Sequence, residues 1–226
     1  MSIDATGHAN TGVWTGGLTA GAPGALANDS DPAMTFNGST GQISTTLNVS
    51  PAAMPSTTWE GWVYPTYFNG WKGIFSSDNG GFDRSVYLNG SNFAVWTGNS
   101  WWQTVPADLN SWQHIAVVYT SSSVTFYKNG VASTCTCTPN FDGSSRPLII
   151  GTRPDGFRAN FQGTIDEVAI YPTALTAGRI QYHYRLGGKI LVRRSEFDAW
   201  MAAYRRVGQA DVARIVDSVM RDLRGT

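Results

Sequence analysis

Seven Asn-Gly and Asp-Gly dipeptides punctuate the chain, at Asn37, Asn69, Asn79, Asn89, Asn129, Asp142 and Asp155. Each supplies the positive backbone φ that a tight hairpin turn demands, and each borders short runs rich in Val, Ile, Phe, Tyr and Trp. A chain cut this often has no room for long helices and must lay its pieces side by side. The plainest instance is WQHIAVVYTSSSVTFYKNGV, residues 112–131, in which three serines join the runs His114 to Thr120 and Val124 to Lys128. It reads as a β-hairpin with Ile115, Val117 and Tyr119, or their alternates, facing a core.

The same reading places strands near Ala33 to Phe36, Gln42 to Thr45, Thr57 to Tyr64, Gly73 to Ser76, Ser85 to Leu88, Phe93 to Thr97, Leu148 to Ile150 and Gly163 to Tyr171. With no helical periodicity between them, these imply an all-β fold, a two-sheet antiparallel jelly-roll sandwich. A length of 226 residues with 42% hydrophobic content suits one such domain with a small appendage. We divide the chain into a sandwich at 1–187 and a tail at 188–226.

Charge separates the two parts. The formal total is zero, but Met1 to Gly187 holds 8 basic and 11 acidic residues and the remainder holds 8 basic and 5 acidic. A neutral chain makes no electrostatic case for a membrane or for nucleic acid, and no apolar run reaches the roughly 18 residues of a membrane span. The opening MSIDATGHANTG lacks the basic start and apolar segment of a signal peptide. The expectation is a virion component or a surface protein placed there by assembly, otherwise a cytoplasmic protein or a fragment of a secreted parent. Cys135 and Cys137 have no companion cysteine for a tetrahedral zinc site, which leaves two free thiols or a small local bridge.

The segments GALANDSDPAMTFNGSTGQIS, TWEGWVYPT, WQHIAVVYTSSSVTFYKNGV, LIIGTRPDG and FQGTIDEVAIYPTALTAGRIQYHY resemble, in order and spacing, the laminin-G-like or concanavalin A-like jelly-roll family. The resemblance runs from about Asp4 to Tyr184. Members of that family carry a first strand upstream of the stretch that reads DATGHANTG here, so one sheet edge is expected to be missing or completed from elsewhere. The resemblance implies a module binding glycans or proteins, with a minority of glucanases on the same fold. A retaining glucanase needs two carboxylates about 5 Å apart, as a clustered Glu-x-Asp-x-x-Glu. The body offers only Glu60 and Glu167, far apart in sequence, and His8, His114 and His183 accompany no nucleophile motif. Catalysis is not expected.

Tryptophan carries the binding expectation. There are nine, and Trp71, Trp96, Trp101 and Trp102 crowd into the segment between Asn69 and Gln103. Flat indoles stack on sugar rings, and Asp78 and Arg84 in the loop DNGGFDR can hydrogen-bond hydroxyls. The competing reading is that these indoles pack the second sheet or form a protein interface, while Trp59, Trp62 and Trp112 belong to the core. The family resemblance also implies a structural Ca2+ at the rim, held by Asp4 and Asp166 with backbone oxygens near Asn37 and Gly38.

In the tail, Phe197, Trp200, Met201 and Tyr204, then Val212, Ile215, Val216, Val219, Met220 and Leu223, recur at helical spacing. Two amphipathic helices are expected, and because such helices are marginal alone, a homo-oligomer or larger assembly built through them. RLGGKILVRRSEFDAWMAAYR resembles the wing and last helix of an excisionase-type helix-turn-helix domain. The reading helix of such a domain would lie where the jelly roll ends, so docking is preferred to DNA contact. Two functions follow. One is a lectin-like module displayed on a phage tail or head appendage; the other is an assembly protein that binds no sugar.

Overall fold

The computed structural model describes residue 6 and residues 10–26, 29–78, 83–141, 147–153 and 160–186. The tail from residue 188, with the two helices expected there, lies outside them, and so do Asp4 and His8. In chain order the elements are β1 (Val13–Thr15), β2 (Leu18–Ala22), β3 (Ala33–Asn37), β4 (Gln42–Asn48), β5 (Thr57–Pro65), β6 (Trp71–Ser76) and β7 (Ser85–Asn89). There follow β8 (Asn92–Trp96), β9 (Trp101–Pro106), β10 (Gln113–Tyr119), β11 (Val124–Lys128), β12 (Val131–Thr134), β13 (Pro147–Ile150), β14 (Gln162–Tyr171) and the helix α1 (Ala177–Leu186).

The strands form two antiparallel seven-stranded sheets, ordered β1-β4-β13-β6-β7-β8-β9 and β12-β11-β10-β5-β14-β3-β2. All ten expected strands are present. The chain starts by filling one edge of each sheet, β1 on the first and β2 on the second. The turn chemistry acts as anticipated: Asn129 and Gly130 stand at φ 51° and 76°, and Gly38, Gly70 and Gly90 are also positive. At the first of these turns Asn37 Oδ1 accepts the backbone N–H groups of Ser39, Thr40 and Gly41 at 2.9, 2.9 and 3.2 Å.

Alternation along each strand decides which residues meet between the sheets. Val86, Leu88, Phe93 and Val95 point inward from the first sheet, and Trp59, Val63, Ile115, Val117, Tyr119 and Phe126 from the second. Phe93 of the first sheet meets Phe126 of the second across the core at 5.2 Å, and Trp59 packs edge-on against Tyr119 of the neighbouring strand at 5.3 Å. Such offset pairs add roughly 1 kcal/mol each beyond their buried area.

The helix α1 packs on the outer face of the second sheet. Ile180, fully buried, sits with Ala116, Val118 and Tyr127, the residues that alternate with the inward set on β10 and β11. Beside this contact the buried carboxylate of Glu60 takes His183 Nδ1–H at 2.9 Å and the Tyr171 hydroxyl at 3.0 Å. His114 Nε2 lies 3.7 Å from the same carboxylate. Two histidines that look isolated in sequence thus converge on one acid. Trp62 belongs to this outer layer, between His114 and Tyr184, and Trp112 lies half-buried edge-on to Tyr64. Of the three tryptophans expected in the core, Trp59 alone sits between the sheets. Cys135 and Cys137 are joined as the local bridge, at a Cα separation of 5.2 Å.

Candidate functional site

The first sheet's outer face gathers the aromatic residues. Parity on β7 turns Ser85, Tyr87 and Asn89 outward because Val86 and Leu88 turn in, and the pairings Tyr87 with Ala94 and Ser85 with Trp96 carry that parity to β8. On β9 the pairing of Trp96 with Trp101 brings Trp101 to the same side. The result is a cluster centred on Trp101, whose ring lies 4.4 Å from Trp71, 4.8 Å from Trp96 and 5.0 Å from Tyr87. Tyr87 stands edge-on to both Trp71 and Trp101 and is fully buried, whereas the three indoles are half-buried.

A polar strip continues from Tyr87. Ser76 and Ser85 share a 2.8 Å hydroxyl bond, the Tyr87 hydroxyl lies 3.4 Å from Ser76 Oγ, and the Asp78 N–H donates to Ser76 Oγ at 3.2 Å. Asp78 Oδ2 faces Arg153 Nε at 3.4 Å; the Asp78 side chain is 4% exposed, while that of Arg153 keeps 21%. Burial pushes the Tyr87 phenol up, with the Ser76 hydrogen bond and Arg153 opposing and Asp78 reinforcing. Tyr87 therefore stays a neutral hydroxyl, in the field of the same ion pair. Arg153 reaches this face because β13 pairs with β6 and the chain then passes over Gly73. A Cβ on Gly73 would stand 2.7 Å from the Thr152 carbonyl carbon, so the crossing needs glycine there.

Of the residues expected to bind ligand, the structure brings Trp71, Trp96, Trp101 and Asp78 to one face. It turns the other two inward. Arg84 is 1% exposed, and its guanidinium donates to the carbonyls of Val49, Met54 and Pro55 at 3.1, 2.8 and 3.3 Å, over the rings of Tyr119 and Phe141. Its role is to satisfy an irregular backbone stretch inside the sandwich. Desolvation lowers its pKa to about 10, where it still carries its charge at neutral pH. Trp102 follows Trp101 on a strand, so it points the other way and packs against the core. Arg153, which the sequence alone does not single out, joins Asp78 on this face.

At the rim, Asp166 is buried with Oδ2 accepting the Ala25 N–H at 2.8 Å. Burial pushes its carboxyl up, and the charges of Asp31 and Asp29 push in the same direction. Among the described residues no three His, Cys, Asp or Glu side chains gather as a metal-binding set.

The chain is thus a two-sheet jelly roll with aromatic residues on the outer face of one sheet and a helix packed on the outer face of the other. A family model described as the concanavalin A-like lectin/glucanases superfamily matches residues 36–181, and the chain belongs to that family. No curated protein matches the chain in sequence. Among solved structures it is similar to domain 4 of AbnA, an extracellular arabinanase from Geobacillus stearothermophilus solved with arabinotriose. That match has a TM-score of 0.60 and 20% identity, over 79% of this chain and 90% of the other. The binding domain of botulinum neurotoxin DC in complex with SialylT matches with TM-score 0.55 and 13% identity, over 78% of this chain and 46% of that one. The same domain with rat synaptotagmin II matches with TM-score 0.54 and 14% identity, over 78% and 47%. The chain spans less than half of these toxin domains, and at such identities the likeness is one of fold.

Proposed function

We propose that this chain is a non-catalytic lectin-like module that binds glycans, or a protein surface, through the outer face of the first sheet. The observation that carries the reading is the group of three half-buried indoles around Trp101, continuous with the Arg153 and Asp78 pair. Apolar ring faces beside a few convergent polar groups are what a sugar site requires. The relatives' ligands, arabinotriose in one and SialylT or synaptotagmin II in the others, fit this reading. Glu60 argues against hydrolysis, because His183 and Tyr171 hold it beneath α1, 5% exposed and out of a substrate's reach. Display on a phage tail or head appendage and a Ca2+ at Asp166 belong to the same proposal.

A glycan array with wild type and Trp101→Ala tests it. Wild type should bind a restricted set of glycans and Trp101→Ala should lose them, while Trp102→Ala should lose stability yet keep the affinity of its folded fraction. A wild type that binds no glycan would defeat the glycan reading and leave only a protein surface as the ligand. The second reading, an assembly protein without sugar binding, is favoured by β1, an edge strand exposing Val13 at 55% and Trp14 at 37%. A stable multimer lost on deleting residues 188–226 would favour it.

A further inference from the structure

The geometry of the indoles says what shape of glycan this face can take. The inference rests on the glycan reading above. A crystalline polysaccharide presents a plane of sugar rings, and a protein that adsorbs to it needs coplanar aromatic side chains set apart along that plane. Here the rings are neither coplanar nor apart. Trp71 and Trp101 are inclined at 45° with centroids 4.4 Å apart, and Trp96 and Trp101 at 52° and 4.8 Å. Three rings this close and this tilted pack on one another and cannot offer a row of coplanar stacking faces to a plane of sugars.

Charge narrows the class further. Arg153 keeps part of its side chain exposed beside Tyr87, and its Nε faces the Asp78 carboxylate at 3.4 Å. A guanidinium oriented by a carboxylate donates to hydroxyl oxygens of a neutral sugar. An anionic sugar would have to compete with Asp78 for the same guanidinium, and would meet a like charge in a site of low dielectric. We propose that this face recognises a single ring of a neutral, soluble glycan, a chain end or a bend, through Trp101 and its indole neighbours, with Arg153 as hydrogen-bond donor and Asp78 as its positioning residue.

The test has two arms, using the full chain. In the first, wild type is mixed with microcrystalline cellulose or chitin powder, and depletion from solution is measured. In the second, calorimetric titrations compare soluble neutral oligosaccharides (arabinotriose, cellopentaose) and neutral array hits with sialyllactose and oligogalacturonate. We expect no depletion, saturable binding of a neutral glycan, and at least a tenfold loss with Trp101→Ala and with Arg153→Gln. Asp78→Asn should weaken neutral binding and raise the relative affinity for the acidic sugars, a change of preference that mere loss of folding does not produce. Thermal melts of each variant provide the folding control. Depletion on a crystalline polysaccharide, or a preference of wild type for acidic sugars, overturns this inference and leaves the lectin reading standing. Failure to bind any glycan overturns both.

Discussion

His183 on α1 and Glu60 on β5, separated by 123 residues, meet with Nδ1 2.9 Å from one carboxylate oxygen and 3.1 Å from the other. This contact joins the end of the fold to its central strand. Together with Ile180 it holds α1 across the second sheet, which leaves the first sheet to present its outer face. Removing one partner strands a buried carboxylate. We expect His183→Ala to cost about 2–4 kcal/mol, and His183→Gln, which keeps a donor, to cost less. Urea unfolding at pH 7 measures both; equal losses would remove the hydrogen bond from the explanation.

The same cluster makes the fold acid-sensitive. Burial, then the charge of His183, depresses His114 to about 4. The groups that face it are Glu60 on β5 and His183 on α1, with the Tyr171 hydroxyl from β14 on the same carboxylate. The unfolded chain takes up this proton near pH 6.5, before the folded one does. Stability from a neutral, buried His114 is thus complete above about pH 6.5 and is lost as pH falls toward 4, by up to about 3 kcal/mol. Unfolding free energies at pH 7 and pH 4.5 should differ less in His114→Gln than in wild type.

These residues show how much of the fold the chain declares. Ten strands are readable because their buried residues recur in register with tight turns, as in Ile115, Val117 and Tyr119. The unforeseen β1, β2 and β12 are edge strands with mostly exposed residues, and no alternation marks them. The aromatic content of β9 is visible, but read as a ligand cluster it hides a strand, and with it the parity that separates Trp101 from Trp102. Arg84 is misread for the same reason. A basic residue after a polar loop reads as exposed, yet the strand that follows turns it inward onto three carbonyls. Arg153 meets Asp78 because β13 lies beside β6, a pairing between strands far apart in sequence that local pattern does not encode.

Asp166 is the place to look for calcium. Burial pushes its carboxyl up, the Ala25 and Glu167 N–H groups oppose that and the charges of Asp31 and Asp29 add to it, so a divalent cation at this carboxylate would favour its charged form. Millimolar CaCl2 should raise the melting temperature of wild type by a few degrees over an EDTA control, and leave Asp166→Asn unmoved. Identical melts of wild type with and without calcium would rule the metal out.

Arg84 separates a structural role from a binding one. Its guanidinium serves the carbonyls of Val49, Met54 and Pro55, and burial already costs it part of its basicity. Arg84→Met keeps much of the volume but leaves three acceptors without their donor, and we expect a loss of about 3–5 kcal/mol. Arg84→Lys retains the charge and cannot reproduce the planar fork, so it should recover only part of that. In a glycan titration both variants should match wild type once corrected for the folded fraction, since Arg84 faces the interior while the indoles around Trp101 face outward. A specific loss of glycan affinity in a fully folded Arg84→Lys protein would return Arg84 to the site.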